Sequence, residues 1–186
     1  MTNFDNNPDP EDVERNLAYR LRHVKELYNS VRALHMSGDS KQVLQRMREL
    51  LPVGAMRDWR QTYELIDQLS GNWMTLADLI LSTTTARKNS VNVMVTSSQL
   101  IPAMSKVMLY SLTNHFAADS IYASRVVGKE ECFRKIKARY GNAAVYHVIG
   151  DSAEEMVAGK KLGWDTHLVR SVAHLKQLLV NIHGHI

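Results

Sequence analysis

The chain has 186 residues, 45% of them hydrophobic, with a formal net charge of +4. That composition is globular, and no apolar run reaches the roughly 20 residues that a membrane span needs. One cysteine, Cys132, excludes an internal disulfide and suits a reducing compartment, and the scattered lysines and arginines form no block that would mark direct nucleic-acid binding.

Residues 1–10 read as a flexible tail, polar and acidic, without the basic and apolar regions of a signal peptide. Asp9-Pro10-Glu11-Asp12 starts a helix: an N-cap, a proline at the first helical position and acids in the first turn. Val13, Leu17, Leu21, Val24, Leu27 or Tyr28, Val31 and Leu34 then recur at spacings of three and four, the pattern of one long amphipathic helix closed near Gly38. Ser40 is placed to cap a second helix that Pro52 ends. A third is expected over residues 57–69 and a fourth over 73–87. No strand signal precedes residue 90, so residues 11–88 are expected to form a helical bundle. Met36, Met47, Met56, Met74 and Met104 suit helix packing.

Residues 89–186 alternate strand and helix, the pattern of a parallel α/β layer. Residues 91–95, Val-Asn-Val-Met-Val, form a short β-branched run. A helix follows to Tyr110, then a weak strand over residues 120–123. A helix from Lys129 to Tyr140 is stopped by Gly141. A strand is expected over residues 144–149, a helix over 153–162, a last strand over 166–169, and a final helix capped by Ser171.

In open parallel sheets, ligands sit beyond the carboxyl ends of the strands. Thr96, Lys129 and Asp151 each follow a strand. A hydroxyl, an ammonium and a carboxylate at one sheet edge suit a phosphate and a hard cation such as Mg²⁺, with Glu154 or Glu155 behind Asp151. Each also has a plainer reading: Thr96 as a helix cap, Lys129 as a solvated side chain, Gly150-Asp151 as a tight turn. Cys132 lies inside a helix, and His183 and His185 near the chain end read as tail rather than metal ligands.

Three strings then carry a resemblance. Val-Asn-Val-Met-Val-Thr-Ser-Ser-Gln-Leu-Ile-Pro-Ala (91–103), Gly-Lys-Glu-Glu-Cys-Phe (128–133) and Val-Ile-Gly-Asp (148–151) with Glu154-Glu155 resemble motifs of the Eyes absent proteins. The run from Leu17 to Asn29 resembles the start of their inserted helical bundle. The resemblance implies an α/β fold of the haloacid-dehalogenase type with a helical insert. It implies Mg²⁺-dependent tyrosine phosphatase activity through an aspartyl-phosphate, on a phosphotyrosine protein substrate. It also implies transcriptional co-activation with a Sine oculis-type homeodomain partner, in nucleus and cytoplasm, with no direct nucleic-acid or membrane contact. Carried over by position, Thr96 bonds phosphoryl oxygens, Lys129 neutralises phosphate and nucleophile, and Asp151 ligates Mg²⁺ with Glu154 or Glu155 in support.

The resemblance further implies an Asp-x-Asp-x-Thr string on a first strand, central in the sheet between those ending at Thr96 and Asp151. Nothing in the 186 residues matches it; Asp5, Asp9 and Asp12 lie in the polar tail. The expectation is a sheet without its first, central strand, weak Mg²⁺ binding, and a chain that is inactive alone and marginally folded. The alternative is a non-catalytic module that docks a homeodomain partner.

Overall fold

A computed structural model describes residues 9–184. The expected tail over residues 1–8 and His185 lie outside the described residues.

Helix α1 runs Pro10–Met36, and the Asp9 carboxylate accepts the Glu11 amide at 3.0 Å, as a capping aspartate before Pro should. Helix α2 (Ser40–Leu50) corrects one expectation: its cap is Asp39, whose carboxylate accepts the Lys41 and Gln42 amides at 3.1 Å each. A carboxylate accepts two amides where the expected Ser40 hydroxyl offers less charge. Helices α3 (Ala55–Leu69) and α4 (Trp73–Thr85) follow. The buried Asp67 of α3 caps α4, accepting the Met74 amide at 2.8 Å and the Thr75 hydroxyl at 2.5 Å. Burial pushes the Asp67 carboxyl up, but the Thr75 and Met74 donors outweigh it and hold the group below the usual carboxylate range.

The second half is α/β, as expected. In order come β1 (Met94–Thr96), α5 (Leu100–Leu109), a 3-10 turn (Ala118–Ser120), β2 (Ile121–Ala123) and α6 (Lys129–Tyr140). Then come β3 (His147–Gly150), α7 (Ala153–Lys161), β4 (Asp165–Leu168) and α8 (Val172–Gly184). Among the described residues these make eight α-helices and two separate parallel strand pairs. β1 pairs β2 with Val95 opposite Tyr122, and β3 pairs β4 with Val148 opposite Thr166. The arrangement is compatible with a fragment of a haloacid-dehalogenase-like domain. No helix among the described residues is long and apolar enough to cross a membrane.

Two strands start three residues later than the sequence predicts, because a strand extends only where a partner runs beside it. β1 starts at Met94 rather than residue 91. Asn92 is tied to α4 instead: its carbonyl accepts the Thr84 hydroxyl at 2.7 Å and its amide reaches the Leu81 carbonyl at 3.2 Å. β3 starts at His147, where β4 begins beside it.

The core lies in three clusters. Tyr28 and Val31 of α1 pack with Met104, Val107 and Met108 of α5 and with Phe116 and Ile121. Phe133 and Ile136 of α6 pack with Val148, Met156 and Trp164, and Val95 and Tyr122 of the other strand pair join the same cluster. Ile80 of α4 packs with Val169, Leu175 and Leu178 beside α8.

The long apolar stripe of α1 is used only in its second half: Val13 is 46% exposed and Leu17 58%. At 1.5 Å per residue α1 is about 40 Å long and α5 about 15 Å, so α5 covers only part of it. Met104 and Met47 pack as expected, whereas Met36 at the end of α1 is exposed.

Candidate active site at the carboxyl ends of the strands

The site is assembled from three strand ends. Thr96 is the last residue of β1, Lys129 the first residue of α6 after β2, and Asp151 the first residue beyond β3. All three therefore lie at the carboxyl ends of the parallel strands.

The Thr96 hydroxyl accepts the Ser98 amide at 3.2 Å, and the Thr96 carbonyl accepts the Ser124 amide at 2.8 Å. Both bonds lock the turn that leads into α5. Gly128, at φ +81°, sits in the left-handed region that favours glycine, immediately before Lys129. Its amide donates to the Ser124 carbonyl at 2.7 Å, so the start of α6 is tied to the end of β2.

Lys129 is only 13% exposed, and its ammonium forms a direct ion pair with Glu155. It also donates to the Ser152 hydroxyl at 3.4 Å and lies 3.8 Å from the Glu154 carboxylate. Glu155 completes a capping box with Ser152 at the start of α7, its other oxygen accepting the Ser152 amide at 3.4 Å. That fold-back depends on Gly150, where a Cβ would overlap the Glu155 carboxylate. A cleft of about 360 Å³ opens beside Lys129 and Glu154, between α6 and α7. On its rim Lys161 donates to Glu130 at 2.9 Å and holds that carboxyl below its usual range, with Arg134 assisting.

Asp151 differs from its acidic neighbours. Its backbone carbonyl accepts the Arg170 Nε at 2.9 Å, while its exposed carboxylate has no partner among the described residues. The structure thus gathers Lys129, Ser152, Glu154 and Glu155 in contact, with Asp151 adjacent. Thr96 shares the same end of the strands but makes no hydrogen bond to them. Among the described residues no group of three or more His, Cys, Asp or Glu side chains is gathered for a metal ion. Mg²⁺ needs only one or two carboxylates beside water and phosphate oxygens. The unengaged Asp151 carboxylate fits that role, with exposed Glu154 next to it. Cys132 is buried inside α6, and burial pushes its thiol up, which suits packing and not a nucleophile.

Sequence reasoning missed two partners. The Ser152-x-x-Glu155 spacing is a capping-box signature and was there to be read. Arg170, which fixes the Asp151 backbone, carries no motif signal; only the register of β4 beside β3 brings it there.

No protein-family model matches the chain. It is 40% identical over 150 residues to the protein phosphatase EYA1 of Homo sapiens, covering 81% of this chain and 23% of that protein. With the protein phosphatase eya of Drosophila melanogaster it is 38% identical over 153 residues, 82% of this chain and 18% of that one. With the protein phosphatase EYA3 of Gallus gallus it is 34% identical over 130 residues, 68% of this chain and 97% of that sequence. The chain belongs to the Eyes absent family of protein phosphatases. It spans about a quarter or less of the length of the first of these curated relatives.

Proposed function

We propose that this Eyes absent chain forms the phosphate-binding and metal-binding part of a Mg²⁺-dependent protein tyrosine phosphatase. The observation that carries the reading is Lys129, half-buried at a strand end, beside an unengaged Asp151 carboxylate. Lys129 opposes the charge of a phosphoryl group. The Thr96 hydroxyl, turned from Ser98, donates to one of its oxygens. Asp151, with Glu154 alongside, holds Mg²⁺, and Glu155 holds Lys129 in place. When bound, Mg²⁺ supplies charge neutralisation at the phosphoryl oxygens.

The nucleophile is the part that these residues do not supply. β1 and β3 each have an edge without a strand partner among the described residues, and side chains from both strand pairs share one apolar cluster. We propose that a strand carrying Asp-x-Asp-x-Thr enters between β1 and β3, with residues 11–88 as the insert that follows it. The test is phosphatase assay on a phosphotyrosine peptide with and without Mg²⁺. The 186-residue chain alone is expected to give no turnover, and co-expression with a segment carrying that strand is expected to restore it. Mg²⁺-dependent turnover by the chain alone would refute the proposal.

A second reading is a non-catalytic module that docks a Sine oculis-type homeodomain partner in co-activation, in nucleus and cytoplasm. The exposed Val13 and Leu17 on α1 and Val180 on α8 favour it. It requires capture of that partner by this chain alone, unaffected by Lys129→Met.

A further inference from the structure

A second cleft, of about 390 Å³, opens at the opposite, amino ends of β1 and β2. Its walls include Arg32 of α1, Asn92, Asn114, Ser120 and Tyr140. Two of these groups lack a full set of partners among the described residues.

The first is Arg32. It is half-buried, and the bonds it makes all leave from Nη1, to the backbone carbonyls of Thr113, Asn114 (2.8 Å) and Phe116 (3.1 Å). No carboxylate among the described residues pairs with it. The acid in the lining, Asp119, is already bound by Arg139 at 2.9 Å. Asp78, on α4, is bound to His115 Nε2 at 2.7 Å. The remaining guanidinium donors, Nη2 and Nε, carry a charge with no anion. The second is Asn114, whose side-chain oxygen is buried without a hydrogen-bond partner. A buried acceptor left unpaired is costly and calls for a donor.

One ligand answers both: an oxyanion for the guanidinium that also carries a hydroxyl to donate to Asn114 Oδ1. At neutral pH, hydrogen phosphate has both features and sulfate lacks the proton. We propose that this cleft binds a hydrogen phosphate ion on Arg32 and Asn114, at a site separate from the strand ends that carry Thr96, Lys129 and Asp151.

Equilibrium dialysis of the full 186-residue chain with radiolabelled inorganic phosphate, at pH 7.5 in EDTA, tests it. The expected affinity for sulfate is weaker by roughly tenfold, the cost of meeting Asn114 without a donor. Lys41→Met, at an exposed lysine of α2 outside both clefts, leaves phosphate binding within about twofold. Arg32→Met weakens it by roughly tenfold or more. Because Arg32 also ties three carbonyls, Asn114→Ala is measured beside it. That change removes no side-chain hydrogen bond and is expected to level phosphate and sulfate. The proposal is overturned if the chain binds no phosphate, if sulfate binds equally to the unaltered chain, or if Lys129→Met abolishes binding while Arg32→Met keeps it.

Discussion

Lys129 and Arg32 are half-buried cations at opposite ends of the same strands, and they are held in different ways. Lys129 is met by carboxylates: Glu155 in direct contact, and Glu154 at 3.8 Å. Arg32 is met by the dipoles of three backbone carbonyls and by no acid among the described residues. A carboxylate cancels a cation's field at short range, whereas carbonyl dipoles position it and leave the net charge in place. On the proposed function, Lys129 gives its charge to an incoming phosphoryl group only in competition with Glu155. Arg32 has its charge available throughout.

The comparison breaks first at Glu155. Glu155→Ala removes both the capping box and the contact that neutralises a poorly exposed lysine, and is expected to lower stability by about 2–3 kcal/mol in urea unfolding. Glu154→Ala is expected to change it by less than about 0.5 kcal/mol, since Glu154 is 64% exposed. Equal losses from the two variants would show that Lys129 is not held as described. Gly150→Ala comes next, at about 1–2 kcal/mol, because its Cβ must push the Glu155 carboxylate aside. Combined with Glu155→Ala it should cost little more than Glu155→Ala alone. Simple additivity would mean that Gly150 and Glu155 act independently.

Much of the carboxyl end was legible in the sequence, because local signals define it. Gly128 and Gly141, both at φ +81°, punctuate α6, and the predicted limits Lys129 and Tyr140 hold. Asp151 follows a strand whose apolar run was plain, whereas Lys129 follows the weak strand that becomes β2. The lengths of β1 and β3 were not legible, since their partners and the pull of Asn92 toward α4 set them. Nor was the idle half of the α1 stripe, whose periodicity is the same whether or not α5 reaches it. The amino-end cleft left no sequence signal at all. Arg32 reads as one more charged residue on a helix, and only folding brings it to the carbonyls of residues 113–116.

That segment offers the next, smaller test. The fully buried Tyr28 donates its hydroxyl to the Phe116 carbonyl at 2.8 Å. Tyr28→Phe keeps the packing and removes one bond, while the same carbonyl retains Arg32. The expected loss is about 1 kcal/mol in urea unfolding, below that of Glu155→Ala. A larger loss would place the main anchor of α1 at Tyr28 and leave Arg32 less of a role in holding residues 113–116.

The smallest expected effect distinguishes the two ends by pH. His35, one turn beyond Val31, binds the Thr113 hydroxyl through Nδ1, so it grips the same segment as Arg32. Burial lowers its pKa below the ordinary 6.5, and the neighbouring His115 pushes the same way while Asp78 opposes. A histidine with a depressed folded pKa stays neutral where the unfolded chain takes up a proton. Its contribution is therefore complete above pH 6.5 and is lost as pH falls below 6.5 toward the folded pKa. Stability measured by urea unfolding from pH 7.5 down to 5 should decline, and His35→Gln should flatten that decline. Glu155→Ala, at the other end of the strands, should leave the effect of His35→Gln unchanged. An unchanged slope in His35→Gln would remove His35 from the amino-end anchor.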